Sequence, residues 1–156
     1  MSDKNSEKNE IMNEIIFESK SCEETESIAE EFAKKLKAGD FLAFFGDLGS
    51  GKTAFVRGIV SYICPKCRVS SPTFTIVNEY LGGKIPIFHF DMYRICDDDS
   101  LFSTGFYDYF DREGIIAAEW CENIPFALPE KRYDIIFEKI NENARKIRII
   151  KRQQCP

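Results

Sequence analysis

A glycine-rich segment at residues 46–53 limits the possible folds of this chain more than any other. It reads Gly46-Asp47-Leu48-Gly49-Ser50-Gly51-Lys52-Thr53 and matches the pattern G-x-x-x-x-G-K-[ST]. The apolar run Phe41–Phe45 precedes it as a strand, and residues 54–60 can continue it as a helix. Glycines let backbone N–H groups curl around a phosphate without Cβ clashes, and a helix N-terminus adds partial positive charge. The segment therefore predicts a P-loop that binds a nucleoside triphosphate.

The motif also predicts individual contacts with ATP and Mg²⁺. The Lys52 ammonium would reach the β and γ phosphates, and the Thr53 hydroxyl would be a ligand of Mg²⁺. The nucleotide-binding residues expected in this part of the chain are Gly46, Asp47, Leu48, Gly49, Ser50, Gly51, Lys52, Thr53 and Ala54.

Length and composition indicate one globular domain. The chain has 156 residues, of which 44% are hydrophobic and 30% charged, and this is enough to bury a real core. No apolar run approaches the roughly 20 residues of a membrane span, and the polar start has no signal-peptide segment. We expect a disordered tail at residues 1–12, a single P-loop ATPase domain at residues 13–156, and a cytoplasmic location with no membrane contact.

The charge balance argues against autonomous binding to nucleic acid. The formal net charge is −5, whereas a protein that grips DNA or RNA alone usually presents a basic face. Residues 145–152 form the only basic cluster, and their alternation with isoleucines indicates a solvated strand face first and a binding patch second.

The six cysteines suggest reduced thiols rather than disulfides, because the chain starts without a signal peptide and carries a nucleotide loop. Cys64 and Cys67 have the spacing of half a zinc site. Zinc needs about four ligands, and the only histidine, His89, has another expected place. A metal or redox role for the pair is therefore the less favoured interpretation.

The remaining patterns predict an α/β domain. Residues 14–18 should form a strand, and a helix should follow it. The Ser21 side chain should cap the start of this helix together with Glu24, and Gly39 should end it. Two hairpins are expected, one across residues 81–84 and one across 141–143. Two short helical pieces should lie in residues 96–112, and residues 114–118 should form a buried parallel strand. The helix after the P-loop should stop before Pro65, and Pro86 favours an edge position or at least a missing hydrogen bond between strands. The expected fold is a P-loop NTPase-like three-layer domain with a mixed, partly antiparallel sheet.

Two carboxylates are candidates for metal and water chemistry. Asp91 ends the strand at residues 87–90, and Glu119 ends the strand at residues 115–118. In open α/β sheets, functional residues lie at the carboxyl ends of strands, beside the crevice. Spacing alone does not decide which of the two is the direct Mg²⁺ ligand.

Four segments together resemble the TsaE family, bacterial ATPases needed to make threonylcarbamoyladenosine in tRNA. They are the P-loop, the segments at residues 71–80 and 89–94, and Glu119-Trp120, which occur in the family's order. The resemblance covers roughly residues 14 to 152. The S-P-T element at residues 71–73 and the H-x-D-x-Y-R element at residues 89–94 are far more specific than the P-loop.

The resemblance implies a role for several residues. It implies that Lys52 and Asp91 are catalytic, with Asp91 the hydrolysis-critical acid, and that Glu119 is a metal ligand that also serves catalysis. Arg145 lies where the family has a nucleotide-contacting arginine, and residues 71–73 would form a switch-like loop near the γ-phosphate. Ser50 stands where alanine is common, which only adds a hydroxyl near the loop.

The resemblance also implies partners, a TsaD-type catalytic subunit and a TsaB-type scaffold, with tRNA bound only through the complex and no role for DNA. The acidic and aromatic residues 106–110 are the candidate docking surface, although these aromatics could equally belong to the core. His89 could be a core residue as readily as a catalytic one, and packing or a binding surface is the favoured role of Trp120.

Two other functions compete with an ATPase. Small-molecule kinases also use short P-loop domains, but they usually place arginines over the transferring phosphate on a closing lid. The candidate lid at residues 96–112 is acidic and aromatic, and Arg112 is its only basic residue, a composition that repels a second substrate carrying phosphate. A nucleotide-dependent binding module without hydrolysis is the third hypothesis.

Overall fold

The computed structural model describes residues 13–47 and 49–153. The expected tail at residues 1–12 and the expected contact of Leu48 with the nucleotide lie outside the described residues. The strands are β1 (Glu14–Ser19), β2 (Phe41–Phe45), β3 (Val77–Tyr80), β4 (Ile87–Asp91), β5 (Ile115–Glu119), β6 (Arg132–Lys139) and β7 (Arg145–Arg152). The α-helices are α1 (Cys22–Ala33), α2 (Lys52–Ile63) and α3 (Asp98–Ser103), and short 3₁₀ helices span Phe106–Asp111, Cys121–Asn123 and Pro125–Ala127.

The seven strands form one mixed sheet in the order β1-β7-β6-β2-β5-β4-β3. Strand β2 is parallel to both β5 and β6, and β4 is parallel to β5. The other three pairs are antiparallel. The parallel centre holds apolar strands buried on both faces, as the all-apolar run before Glu119 predicted. The predicted α/β fold with a partly antiparallel sheet is confirmed.

Two apolar clusters cover the two faces of the sheet and make three layers. On one face, α1 and α2 pack through Phe32, Phe55 and Ile59. On the other face, α3 and the 3₁₀ helices pack through Leu101 and Phe106. Helices α1 and α2 also touch each other closely, so α1 supports the helix that carries the end of the P-loop motif.

Helix α1 begins as predicted and ends earlier than predicted. The Ser21 side chain accepts a hydrogen bond from the Glu24 amide at 3.0 Å, which caps the first turn. The helix ends at Ala33, however, and not at Gly39. The amides of the next residues bond three residues back, which tightens the chain out of the α-helix. Gly39, at φ 94°, instead turns the chain into β2.

The first predicted hairpin is present as β3 and β4, but the edge position, the first of the two alternatives predicted from Pro86, is wrong. Strand β4 lies inside the sheet between β5 and β3, and β3 is the edge strand. Pro86 precedes β4, so its missing N–H interrupts no hydrogen bond of that strand, and its carbonyl accepts the Ile115 amide at 2.8 Å. The second predicted hairpin is present as β6 and β7.

The acidic and aromatic segment divides between core and surface. The two predicted helical pieces are present on either side of Gly105, which has φ 79°. Phe106 is fully buried, whereas Phe102, Tyr107 and Phe110 are exposed. Phe106 therefore belongs to the core and not to the candidate docking surface at residues 106–110. Phe102, which lies before that segment, is exposed.

The expectation of reduced thiols is wrong for one pair, because Cys64 and Cys67 form a disulfide. Helix α2 ends at Ile63, and the next residues turn so that the Cys67 amide donates to the Cys64 carbonyl at 3.0 Å. The turn brings the two Cα atoms to 5.6 Å, within the range that a disulfide spans. The residue spacing alone could not show this turn.

The basic residues of β7 lie on a strand, as predicted, and several of them are paired. Arg148 donates to Glu14 of β1 at 2.5 Å, and Arg152 pairs with the buried Asp134 of β6. The same Asp134 accepts from Arg132 at 2.7 Å. Within residues 13–47 and 49–153, no helix has the length and apolar character needed to cross a membrane.

Candidate functional site

The glycines of the P-loop adopt conformations that other residues rarely reach. Gly46, Gly49 and Gly51 have φ values of 141°, 75° and 106°, in the region that favours glycine. A Cβ on Gly46 would also lie 2.8 Å from the Phe137 carbonyl oxygen of the neighbouring strand β6. The loop therefore curls tightly between β2 and α2, and its shape depends on residues without side chains.

Lys52 begins α2 and is almost completely buried, with 4% of its surface exposed. Its ammonium donates to the Gly46 carbonyl and lies 3.7 Å from the centroid of the Trp120 ring. Burial lowers the pKa of Lys52, and nearby carboxylates, Glu122 and Glu119 first, partly oppose that shift. A desolvated ammonium in this position exerts a strong attraction on an incoming phosphate.

The sheet brings the two candidate acids together. Asp91 of β4 and Glu119 of β5 are partners in the parallel register, side by side at the carboxyl end of the sheet. Both are buried, at 8% and 4% exposure. Thr53 of the P-loop helix lies opposite, its hydroxyl 3.4 Å from each carboxylate oxygen of Glu119. Three residues from distant parts of the chain thus meet at the carboxyl end of the sheet.

Asp91 is held in place by bonds to both of its carboxylate oxygens. Oδ1 accepts the Tyr93 amide at 2.9 Å, and Oδ2 accepts the Thr73 hydroxyl at 3.1 Å. The Thr73 hydroxyl also pairs with Ser71 at 2.7 Å. The switch-like loop predicted from residues 71–73 therefore contacts the acid at the end of β4.

The loop that carries Thr73 is tied at both ends. It follows the Cys64–Cys67 disulfide at the end of α2 and runs to Ile76, whose carbonyl accepts the Asp91 amide at 2.8 Å. Ile76 has φ 70°, which is rare for a β-branched residue and is found where surrounding structure imposes it. Phe74, between these anchors, is 86% exposed.

A cleft of about 290 Å³ lies on the other side of the P-loop and contains a residue that the family resemblance singled out. Gly49, Gly51 and Ala54 line it from the P-loop, and Arg145 lines it from β7. The Arg145 guanidinium donates to the Gly49 carbonyl at 2.9 Å. The end of the turn before α1 and the first turn of α1 also line the cleft, through Lys20, Ser21, Cys22, Glu23 and Thr25.

Several contacts at the site were not predicted from the motifs. Glu122 accepts the Gly46 amide at 2.9 Å and so holds the start of the P-loop. His89 is fully buried, and its Nε2 lies 2.5 Å from the Glu119 Oε2. The Ser50 hydroxyl is buried without a hydrogen-bond partner among the described residues. The sequence gives only one hint of the role of Glu122, which is that it follows the strand-end acid Glu119 by three residues.

The donor set fits Mg²⁺ and a triphosphate. Hydroxyl and carboxylate oxygens are the ligands that this hard cation prefers, and Mg²⁺ usually takes one or two carboxylates together with substrate phosphates. Among the described residues, no cluster of three or more His, Cys, Asp or Glu side chains could hold a metal by itself. Thr53 and Glu119 beside a P-loop form a site of the open kind, which a bound triphosphate would complete.

Comparisons with known proteins identify the family. The family model described as "Threonylcarbamoyl adenosine biosynthesis protein TsaE" matches residues 19–147. The chain is 36% identical over 136 residues to the tRNA threonylcarbamoyladenosine biosynthesis protein TsaE of Bacillus subtilis, covering 87% of this chain and 85% of that protein. It is 40% identical over 147 residues to the protein of the same name from Aquifex aeolicus, covering 92% and 99%.

The fold gives the same result. The crystal structure of Bacillus subtilis YdiB matches with a TM-score of 0.76 and 31% sequence identity, covering 90% of this chain and 86% of that one. The family match, the identity to named relatives and the shared fold span nearly the whole chain. This chain belongs to the TsaE family of threonylcarbamoyladenosine biosynthesis proteins.

Proposed function

We propose that this chain binds Mg²⁺–ATP and hydrolyses it slowly to ADP and phosphate, as a switch in the threonylcarbamoyladenosine modification of tRNA. The observation that carries the proposal is the meeting of Lys52, Thr53, Asp91 and Glu119 beside the P-loop. Their charges and hydroxyl are the groups that phosphoryl transfer to water requires. The names of the relatives support the place of this reaction in tRNA modification.

Each residue has a distinct role in the proposed reaction. The P-loop amides and the Lys52 ammonium hold the phosphates in line for attack, and Lys52 moves from the Gly46 carbonyl to the triphosphate. Thr53 and Glu119 would hold Mg²⁺, which would neutralise charge on the β and γ oxygens. Asp91, fixed by Tyr93 and bonded to Thr73, orients the attacking water and accepts its proton.

The cleft on the other side of the P-loop would take the nucleoside part of ATP. Its volume of about 290 Å³ and its position beside Gly49 and Gly51 suit a group attached to the α-phosphate. Arg145 would contact the nucleotide there while it holds the P-loop through the Gly49 carbonyl.

A small-molecule kinase remains the competing function, and the structure supports it less. Arg112, the basic residue of the candidate lid, pairs with Glu79 and stacks over the Phe88 and Tyr109 rings at 4.5 and 4.8 Å. It is therefore engaged in packing the face away from the P-loop helices. Product analysis separates the functions, because an ATPase releases free phosphate, a kinase yields a phosphorylated metabolite, and a pure binding module yields neither.

The proposal extends to partners. TsaB-type and TsaD-type proteins would dock on the exposed aromatic side chains Phe102, Tyr107 and Phe110, which lie among acidic residues. They would speed hydrolysis by ordering the loop at residues 71–73, as partners do for other switch NTPases. The reaction would take place in the cytoplasm, within the single domain at residues 13–156.

Variants at the four site residues test the proposed chemistry. Lys52→Ala and Thr53→Ala should weaken binding of a fluorescent ATP analogue, with Lys35→Ala as the matched control because Lys35 is exposed and is not among the residues that line the cleft beside the P-loop. Wild-type affinity in both site variants would remove the P-loop assignment.

Turnover distinguishes the two acids. Asp91→Asn should bind nucleotide while phosphate release falls by about 10²-fold or more, the scale of losing a general base or a positioned charge. Asp108→Asn is the matched control, since Asp108 is exposed. Glu119→Gln should instead shift the Mg²⁺ dependence, and an unchanged Mg²⁺ titration would contradict its role as a metal ligand.

The isolated chain should release phosphate feebly, and a TsaB–TsaD pair should raise the rate. Because binding to tRNA draws mainly on phosphate neutralisation, a chain of net charge −5 should retain tRNA only within the complex. Salt-sensitive, submicromolar tRNA binding by the chain alone would contradict this part of the proposal.

A further inference from the structure

Three buried side chains, Tyr80, His89 and Glu119, connect the proposed Mg²⁺ site to the start of the switch-like loop. The Tyr80 hydroxyl of β3 lies 3.4 Å from His89 Nδ1, and His89 Nε2 lies 2.5 Å from Glu119 Oε2. Glu119 in turn faces the Thr53 hydroxyl. On its other side, the Tyr80 hydroxyl contacts the backbone of Ser70, where the loop begins.

The hydrogen-bond capacities of these groups decide how the chain of contacts works. Since a carboxylate only accepts, His89 Nε2 must carry the proton that it donates to Glu119. His89 Nδ1 is then left to accept a proton from the Tyr80 hydroxyl. The ring positions suit this, with the Tyr80 and His89 centroids 6.1 Å apart. His89 thus makes a bond through each ring nitrogen.

The Tyr80 hydroxyl has one proton and two acceptors within reach. The Ser70 carbonyl oxygen lies at 3.3 Å and His89 Nδ1 at 3.4 Å. The hydroxyl also accepts the Ser70 amide at 3.4 Å. Burial raises the pKa of Tyr80, so the hydroxyl keeps its proton at neutral pH. The proton can therefore point to the loop or to the histidine, which gives this group two discrete arrangements.

We infer that Tyr80 and His89 are positioning residues that couple the Glu119 carboxylate to the backbone of Ser70, so that Mg²⁺–nucleotide at the P-loop changes the start of the loop. The inference rests on the proposed function. Engagement of Glu119 by a metal alters the partner of His89 Nε2, and His89 Nδ1 transmits that change to the Tyr80 hydroxyl. The loop then loses or gains its bond to Tyr80.

A second contact of Ser70 offers a matched control. Asn78 Nδ2 donates to the Ser70 carbonyl at 3.0 Å and to its hydroxyl at 3.3 Å. Asn78 thus holds the same loop residue as Tyr80 and also bonds to the Tyr80 side chain, so Asn78→Ala removes a loop contact but keeps the bonds that link Tyr80, His89 and Glu119. Thr73 is a poor reporter, because its own bond to Asp91 would transmit a change directly.

The experiment measures amide exchange at Ser70 by NMR in the full chain, with and without Mg²⁺ and a non-hydrolysable ATP analogue. In the wild type, the exchange rate should change by about fivefold or more, the lower end of coupling between sites. The analogue with EDTA should leave Ser70 unchanged. Tyr80→Phe, which keeps the ring in the core, should abolish the response, whereas Asn78→Ala should speed exchange in both states and keep the response.

Each outcome bears on one claim. The Gly51 amide reports whether nucleotide is bound, so a silent Gly51 in the wild type would contradict the proposed function and this inference with it. A Gly51 shift with an unresponsive Ser70 would overturn only the inference. A Ser70 response that survives in Tyr80→Phe, or that appears without Mg²⁺, would also overturn it.

Discussion

Gly58 sits where α1 and α2 touch, and replacing it with alanine should destabilise the protein. A Cβ on Gly58 would lie 2.6 Å from the Ala29 Cβ and still closer to the Glu26 carbonyl oxygen. Ordinary contact begins at 3.4 Å, and the Glu26 carbonyl oxygen would lie at 2.3 Å, so the helices would have to separate by about 1.1 Å. The obstacle includes backbone, which cannot rotate away as a flexible side chain can.

The expected magnitude comes from two opposing effects. Overpacking of a tight contact costs about 1–3 kcal/mol, and the higher helix propensity of alanine offsets about 1 kcal/mol. The difference is about 0–2 kcal/mol, and because the nearest obstacle is backbone, the free energy of unfolding should fall by an amount at the upper end, about 2 kcal/mol. For a domain of this size, each kcal/mol lowers the melting temperature by about 2–4 °C. Separation of the helices would also displace α2, which carries Lys52, so nucleotide affinity should fall together with stability.

Thermal unfolding followed by circular dichroism measures the effect. Ser61→Ala is the matched control, since it adds alanine to the same helix and removes only an exposed hydrogen bond to Glu30. Its free energy of unfolding should stay within about 0.5 kcal/mol of the wild type. A Gly58→Ala protein that melts at or above the wild-type temperature would refute the close contact between α1 and α2.

Three further predictions concern the P-loop tether, a surface tyrosine and the disulfide. Arg145→Ala should weaken ATP-analogue binding about tenfold, because it removes a charge-assisted bond to the P-loop worth about 1.5 kcal/mol; unchanged affinity in a fluorescence titration would contradict this. Tyr107 should titrate in NMR with a pKa raised to about 12 by its hydrogen bond to Asp98, and Asp98→Asn should bring the pKa down toward its ordinary value. Alkylation under denaturing conditions, followed by peptide mass spectrometry, should label Cys22, Cys96 and Cys121 without reductant and Cys64 and Cys67 only with it, and labelling of Cys64 and Cys67 without reductant would contradict the bond between them.

Features with local causes could be predicted from the sequence. The P-loop depends on glycines at fixed positions, and its strand and helix follow from the apolar residues on either side. The cap at Ser21 and the two hairpins likewise depend on a few neighbouring residues. The end of α1 at Ala33 was missed because a glycine can serve either a helix end or a later turn, and Gly39 serves the turn.

The tertiary structure decided which site residues contact each other, because those contacts depend on the order of the strands. The sequence placed Asp91 and Glu119 at strand ends, but only the pairing of β4 with β5 puts them side by side and opposite Thr53. The contact of Glu122 with the P-loop and the bond of His89 to Glu119 arise in the same way, between residues 30 or more positions apart. Sequence patterns report the conformation of neighbouring residues. Contacts over such distances are set by how the sheet is assembled, which no local pattern encodes.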